Sequence, residues 1–476
     1  MTLSRPVLFV VLLAALGGCS QIPPLPDSAR DMVLPGSWST ADAAIKPVAV
    51  PDLSIWWRQM GDPLLDDLIE RALTSAPDMR TAQARLKQVR ASRDLAVAGL
   101  FPSLGASASA KRSKAGTAAG GSGTSQTLYT AGFDASWEPS IFGGQRDAAS
   151  GAEADLVASA ATLESTRVSL AAEVALEYVT LRTYQQRLTI ARDNTASQAE
   201  TLQLTDWKQQ AGLVTSLEVE QARTNLEQSR ASIPGLEVGS AEAEHRLAVL
   251  IGQAPGALRE KLADAKPLPA PPDEVAVGIP ADTIRQRPDV RAAEFALRGE
   301  IARSAEQRAA RYPSFTLSGS WGWQAFSSAA LGGTDTLVRS LVGSLAATLF
   351  DGGRISARID VQNAVEEQAL VAYEASILTA LEDVENALVS YAAGRERLET
   401  RRRAAESARN AAQLARTLYE AGSADFQKVL DTDRTRLTAE DGLASAEGDL
   451  LAAVVKLYKA LGGGWRADGE NTDAQS

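Results

Sequence analysis

The sequence predicts a mostly α-helical protein with a transmembrane β-barrel. Each chain is expected to supply long helices to an α-barrel and four strands to the β-barrel. Three observations predict this fold class. The chain of 476 residues contains an internal structural repeat, and each repeat has a long helical run without proline. Each repeat also has two strands in which polar and apolar residues alternate. We therefore expect a long-helix α-barrel joined to a β-barrel.

The first 18 residues have the layout of a secretory signal peptide. An apolar run, Val7–Leu16, follows Arg5, is too short to span a bilayer and ends in small residues. Cys19, the only cysteine of the chain, comes shortly after it. A buried free cysteine in an ordinary N-terminal helix is the alternative, but three of the next seven residues are proline, which disfavours a helix.

The motif Leu-Gly-Gly-Cys that ends at Cys19 resembles the lipobox of bacterial lipoproteins. In that family the chain is cut before the cysteine, whose sulfur and new amino group are then acylated. The residue after the cysteine is Ser20 and not aspartate, and in that family this choice indicates sorting to the outer membrane. The resemblance implies that Cys19 is a lipid anchor.

Composition argues against several classes of function. The formal net charge is −11 and the isoelectric point is about 5.0, so nucleic acid is a poor partner. The single histidine, His245, lies in a charged helical run and leaves little basis for a histidine metal site or a catalytic triad. We expect no enzyme, no cofactor and no resident metal.

The body of the chain contains the same pattern twice. The stretch from Pro77 aligns without gaps to the stretch from Pro288, and later turns match in the same order. Chance similarity of two alanine-rich helices does not explain matching turns. The predicted domains are a signal peptide at 1–18, an acylated N-terminal segment and equatorial region at 19–76, a first repeat at 77–265, a linker at 266–287, a second repeat at 288–461 and a flexible tail at 462–476.

Each repeat contains two predicted strands. In FTLSGSWGWQA, which begins at Phe315, aromatic and aliphatic residues fall on one face and hydroxyl-bearing residues on the other. A soluble sandwich is the alternative, but the strand length, the glycine- and serine-rich segments joining each pair and the signal peptide favour a membrane barrel. The predicted strands lie at about 101–112, 126–140, 312–326 and 336–350.

Four strands cannot close a barrel by themselves. Open edges in lipid leave backbone groups unpaired, and the smallest common barrel has eight strands. The barrel is therefore expected to be shared between subunits. Two chains would give eight strands and a lumen filled by side chains, whereas three would give twelve strands and a pore.

Long helices follow the strand pairs. No proline occurs from Gln145 to Gln210 or from Arg354 to Glu420, and at about 1.5 Å per residue each run reaches ~100 Å. Heptad spacing favours coiled-coil-like packing of these helices into a tube. A long dimeric coiled coil is the alternative, but it leaves the strands unexplained. The heptad residues are Val174, Leu181, Leu188, Val384, Tyr391 and Leu398.

With these elements the chain resembles the TolC-like outer-membrane efflux channels, in particular the acylated OprM/NodT-type outer-membrane factors of tripartite pumps. The resemblance covers essentially everything from Cys19 to about Leu461. Its motifs are the lipobox, WWRQMGDPLLDDLIERAL at 56–73, two PD-x-R helices, FPSL and YPSF before the strands, ASWEPSIFGGQR and LFDGGR after them, and QAGLVTSLEVEQAR and YEAGSADFQKVLDTDR at the helix turns.

The resemblance implies a homotrimer with a twelve-stranded barrel in the outer membrane of a Gram-negative bacterium, extending into the periplasm. It implies a passive exit duct for drugs or other small toxic compounds. The implied partners are outer-membrane lipid, a periplasmic adaptor protein and a proton-driven inner-membrane transporter of the RND type. The glycine-rich turns of the chain lack the Lys-Ser/Thr of a P-loop, so a partner must supply the energy.

Two other functions remain open. An exit duct of a type I protein-secretion or metal-efflux system has the same fold, although four methionines and one histidine argue weakly against soft-metal cargo. A structural lipoprotein that tethers envelope layers without transport is the third function. Neighbouring genes would distinguish the duct of a drug efflux pump from that of a secretion or metal-efflux system. Pore conductance would distinguish both ducts from the structural lipoprotein.

The two helix–turn–helix tips are expected to dock the adaptor. Both turns carry glycine directly after a long helix, where a left-handed residue ends a helix. Plain turns without a partner are the alternative. The expected docking residues are Gly212, Leu213, Val214, Thr215, Ser216, Gly422, Ser423, Ala424, Asp425 and Phe426.

In similar channels, charged residues on the helix after the second tip hold the periplasmic aperture shut. Asp431 and Arg434 match the family's Asp-x-x-Arg positions, and their i, i+3 spacing places them on one helix face, which Asp433 cannot share with Asp431. Gln427 replaces a usual leucine, and Lys428 stands where some relatives carry an acid. These four residues, 427, 428, 431 and 434, are the expected periplasmic gate, and a solvated charged face is the alternative.

Overall fold

The computed structural model describes residues 22–26, 34–39, 45–46, 53–114, 116, 118, 123–269, 271, 275–276 and 280–463. The signal peptide, Cys19 and nearly all of the predicted tail lie outside these ranges. The described chain is mostly helical and contains one four-stranded sheet. No helix within these ranges combines the length and the apolarity that crossing a membrane requires.

Nine α-helices and six strands are assigned in the described ranges, together with short 3₁₀ segments, of which Leu53–Met60 is the longest. In chain order they are β1 (Ile45–Lys46), α1 (Pro63–Ser75), α2 (Pro77–Ala98), β2 (Ser103–Lys114), β3 (Ser125–Trp137), α3 (Gly144–Gln210), α4 (Ser216–Leu250), α5 (Arg259–Leu262), β4 (Val275–Ala276), α6 (Pro280–Gln286), α7 (Pro288–Ala309), β5 (Ser314–Ala325), β6 (Leu337–Ala346), α8 (Arg354–Glu420) and α9 (Phe426–Ala460).

The two halves of the chain have the same element order and helices of equal length. The paired helices α2 and α7 each have 22 residues, α3 and α8 each have 67, and α4 and α9 each have 35. Pro77 and Pro288, which the alignment superimposes, are both the first residues of their helices. Proline suits this position because the first turn of a helix does not use its N–H groups.

The strands form one antiparallel sheet in the order β2-β3-β5-β6. The central pair joins the two halves of the chain, because β3 pairs with β5. Gly132 and Gly322 lie opposite each other there, and a Cβ on Gly132 would lie 2.8 Å from the Gly322 Cα, so this close approach requires glycine. The outer strands, β2 and β6, each have one edge that no strand of the described chain covers.

The observed strand ends differ from the predicted ones by one to four residues. The largest difference is in β6, which the sequence predicts to reach residue 350 and which ends at Ala346. Its partner β5 begins at Ser314, opposite Ala346, so later residues have no strand with which to pair. The segment predicted as a linker contains β4, which pairs with β1 in parallel, and the short helix α6.

The chain divides into two compact units. One contains Arg85–Ala160 and Ala292–Glu374 and holds the sheet. The other contains Val33–Ala84, Ala161–Arg291 and the chain from Ala375 onward, and it holds the main apolar core. Heptad residues buried in that core are Val174, Leu181, Val384, Tyr391 and Leu398, whereas Leu188 is half-buried.

Candidate functional site

The sheet has one apolar face and one polar face. On the apolar face, Phe133 stacks on Trp321 with ring centroids 6.1 Å apart, and Trp321 meets Trp323 edge-on at 5.0 Å. On the polar face, the Ser107 hydroxyl donates to the Asp134 carboxylate at 2.9 Å. Alternation along each pleated strand produces this division. The apolar face also carries Leu104, Ala106, Ala108, Ala131, Ala135, Leu317, Leu341 and Leu345.

Aromatic residues on the apolar face lie at two levels. Near the hairpin connections, Tyr129, Trp321 and Trp323 occupy neighbouring rungs of the sheet. Near the helices, Phe315 lies at the start of β5, and the Trp137 indole donates to the Leu100 carbonyl at 2.9 Å. Two aromatic levels that flank an aliphatic band are typical of strands that cross a bilayer.

The two helix–turn–helix tips share one backbone geometry. Gly212 and Gly422 both have a φ of +72°. The backbone N–H groups of Leu213 and Ser423, which follow the glycines, each donate to the carbonyl five residues earlier at 2.8 Å. This is a Schellman motif, in which a left-handed residue ends the helix and satisfies its last carbonyls.

Most of the expected docking residues are exposed to solvent, but one is not. Leu213 is 73% exposed, whereas Phe426 is 3% exposed. The Asp425 carboxylate accepts a hydrogen bond from the Lys428 backbone N–H at 2.9 Å and so caps α9. The residues left for contact are Gly212, Leu213, Thr215, Ser216, Gly422, Ser423 and Asp425, with Val214 and Ala424 partly exposed.

Phe426 belongs to a small apolar cluster that joins the two tips. Its ring lies 5.5 Å from that of Tyr419, and the Lys208 Nζ lies 3.8 Å from the Tyr419 ring centre. Burial raises the pKa of the Tyr419 hydroxyl, which therefore stays neutral. The cluster comprises Ala222, Tyr419, Phe426, Val429 and Leu430. With Lys208 it draws on α3, α4, α8 and α9, so the two tips are packed together.

Asp431 and Arg434 are exposed, and no ion pair between them is found within the described residues. Asp431 instead accepts a hydrogen bond from the Gln427 amide at 3.0 Å. The Arg434 Nε donates to the Asn225 Oδ1 at 2.9 Å, and Asn225 is a buried residue of α4. The exposed Lys428 contributes its backbone N–H to the cap of α9. Arg434 thus ties α9 to α4.

A second polar link joins α9 to α3, and the sequence did not predict it. The Arg436 Nη2 donates to the Asn194 Oδ1 at 3.2 Å, and the Asn194 amide donates to the Ser229 hydroxyl at 3.2 Å. Asp433 lies 3.7 Å from the Arg436 Nε, and burial raises the pKa of this carboxyl. The sequence does contain one indication of this link. Asn225 and Ser229 continue the helical spacing of an apolar stripe on α4, which indicates that their polar groups are buried.

The remaining expectations concern Cys19 and metals. Cys19 lies outside the described residues, so its acylation stays a prediction. Among the residues that the structure describes, no three histidine, cysteine or acidic side chains are grouped to hold a metal ion.

Comparison with known proteins gives matches along nearly the whole chain. A family model described as outer membrane efflux protein matches residues 68–253 and 279–463. The chain is 34% identical over 465 residues to the pyoverdine export outer membrane protein OpmQ of Pseudomonas aeruginosa, covering 95% of each protein. It is 29% identical over 469 residues to the toluene efflux pump outer membrane protein TtgF of Pseudomonas putida, covering 96% of each.

Among solved structures, the outer-membrane channel OprN has a TM-score of 0.86 and 34% identity. The match covers 94% of this chain and 100% of OprN. The TM-score and the coverage indicate a shared fold over nearly the full length of this chain.

Proposed function

Because the chain belongs to the outer membrane efflux protein family, we propose that it is the outer-membrane channel of a tripartite efflux pump. It forms a passive, homotrimeric exit duct across the outer membrane and the periplasm. Acylation of Cys19 anchors it to outer-membrane lipid. A periplasmic adaptor docks at the tips, and a proton-driven inner-membrane transporter of the RND type supplies the energy.

The observation that carries this proposal is a two-faced sheet with two unpaired edges. A backbone edge in lipid costs several kcal/mol per unpaired group, so β2 and β6 must pair with other strands. Because these are the two unpaired edges of the four-stranded sheet in the described chain, β6 of one copy pairs with β2 of the next. Three copies then give twelve strands, with the apolar face toward lipid and the polar face around a pore.

The contacts at the tips and on α9 support a gate at the periplasmic end of the duct. Asp431 stays exposed while Arg434 is held by Asn225, so each copy presents a fixed carboxylate and a fixed guanidinium near the tip. We place the resting constriction at these residues, with Gln427 and Lys428 beside them. Docking at the tips releases it, because the cluster around Phe426 packs both tips together.

Small molecules are the proposed cargo. OpmQ is named for pyoverdine export and TtgF for toluene efflux, and the chain matches both over almost its full length. A duct that accepts drugs or other small toxic compounds fits the polar face, where serine predominates and Asp134 and Lys111 are the charged residues of the described strands.

Conductance and efflux test this proposal. Purified protein in planar bilayers is expected to conduct ions, and its production in a strain that lacks its own outer-membrane channel is expected to restore small-molecule efflux with adaptor and transporter present. A structural lipoprotein would conduct nothing, and a type I secretion duct would restore protein export instead. Either outcome would overturn the proposal.

A further inference from the structure

The apolar face of the sheet carries basic residues at one end. Its positions on the four strands include Arg112, Lys114 and Arg339, all on the side of the hairpin connections. The apolar-face positions of these described strands include no aspartate or glutamate. The whole chain has a net charge of −11, so a face with three cations and no acid differs clearly from the rest of the protein.

Within the described part of the chain, these three cations have no acidic partner. Arg112, Lys114 and Arg339 are exposed, and none of them makes an ion pair with another described residue. Lys111, the neighbour of Arg112, points to the other side of β2 because successive side chains alternate. The segment that joins β2 to β3 has no acid, and the one that joins β5 to β6 has only Asp335.

Arg339 lies at the same height in the sheet as the aromatic residues near the hairpin connections. Arg339 lies directly opposite Trp321, next to the rung that pairs Trp323 with Leu337. It is six residues beyond Leu345, or about 20 Å along the strand. Aromatic rings collect where acyl chains meet headgroups, so Arg339 lies at headgroup depth, and Arg112 and Lys114 lie toward the hairpin connection on β2.

The two edge strands carry these cations separately. Arg112 and Lys114 are on β2, and Arg339 is on β6, which are the opposite edges of the sheet in one chain. In the closed trimer, β6 of one copy adjoins β2 of the next. The seam therefore brings Arg339 of one copy beside the strand that carries Arg112 and Lys114 of the neighbouring copy.

We propose that each seam between two copies binds the phosphate groups of a phosphorylated lipid in the outer leaflet, through Arg339 of one copy and Arg112 and Lys114 of the next. This inference rests on the proposed function, since the seam exists only in the assembled barrel. Guanidinium groups match phosphate oxygens in charge and geometry. The aliphatic band below, with Leu341 and Leu345, takes the acyl chains of the same lipid.

The test is native mass spectrometry of the detergent-purified protein with added diphosphoryl lipid A, and with the same lipid after its phosphates are removed. The variant is Arg112→Gln with Lys114→Gln and Arg339→Gln. Lys111→Gln is the matched control, because it removes one cation of the same strand on the polar face. If the triple variant does not assemble, the single variant Arg339→Gln is measured in its place.

We expect the wild-type trimer to retain up to three phosphorylated lipids and the triple variant to retain at least about tenfold less, because each basic group near a membrane surface adds to the binding of anionic lipid. The Lys111→Gln control retains lipid as the wild type does. Equal retention of the dephosphorylated lipid, equal retention by the triple variant, or an equal loss in Lys111→Gln overturns the site. The mass of the lipid-free assembly tests the trimer separately.

Discussion

At the scale of the residue, the proposed gate depends on Arg434. Its guanidinium is exposed, but its Nε is held by Asn225, so the side chain has one preferred place near the tip. Asp431 is likewise held by Gln427 one turn earlier. In the proposed trimer these two groups occur three times, so a single substitution changes three positions of the proposed constriction.

Replacing Asp431→Ala together with Arg434→Ala is expected to raise single-channel conductance. In the proposed trimer the double variant removes six charged groups from the proposed constriction, and it frees α9 from Asn225. Bulky antibiotics should then leak into cells without any pump. Planar bilayers at low salt give the measurement, because low ionic strength leaves the charges unscreened.

Glu220→Ala with Arg223→Ala is the matched control for this variant. These residues form an exposed pair at 2.8 Å with the same i, i+3 spacing on α4. The control is expected to conduct as the wild type does. Wild-type conductance in the Asp431/Arg434 variant would place the gate elsewhere in the molecule.

A second prediction at this scale concerns Cys19. Cys19→Ser removes the sulfur that an acyl chain would be attached to, so we expect the variant to incorporate no labelled fatty acid, while the wild type does. Metabolic labelling followed by purification gives the measurement. Label at the N-terminus of the variant would contradict the lipobox assignment.

At the scale of the element, each tip depends on one glycine. The φ of +72° at Gly212 and Gly422 costs a β-branched residue ~1–3 kcal/mol, so Gly212→Val and Gly422→Val will distort the turns that end α3 and α8. If the adaptor docks there, efflux falls by roughly tenfold for a loss of ~1.4 kcal/mol in docking. Drug accumulation in cells gives the measurement.

Gly256→Val controls for backbone strain as such. Gly256 also has a positive φ, of +86°, and like the tip glycines it has no atom within 4 Å of an added Cβ, but it lies between α4 and α5. The control should keep efflux, and all three variants should keep the trimer and the surface level. Unchanged efflux in both tip variants would argue against docking at the tips.

The sequence predicted the elements well where the pattern is local. Heptad spacing and the absence of proline predicted α3 and α8, and alternation predicted the four strands of the larger sheet, because periodicity reports which face is buried. It did not reveal that Phe426 is buried against Tyr419, or that Arg436 reaches Asn194. These contacts join residues from different helices, and no spacing along one helix encodes them.

At the scale of the whole molecule, the sheet is incomplete. Four strands with two unpaired edges cannot remain alone in lipid, and the repeated helices around Val174 and Val384 expose apolar residues such as Val361, Val371 and Leu378 of α8. Both features favour the proposed assembly from several copies of the same chain. The number of copies decides whether there is a pore, since eight strands would be filled by side chains and twelve would not.

The mass of the intact assembly tests this most directly. Native mass spectrometry of the detergent-purified protein should give three chains, with β-strand content retained in circular dichroism of the same sample. A dimer would leave an eight-stranded barrel without a duct. A monomer with intact strand content would contradict the shared barrel, and with it the proposed channel.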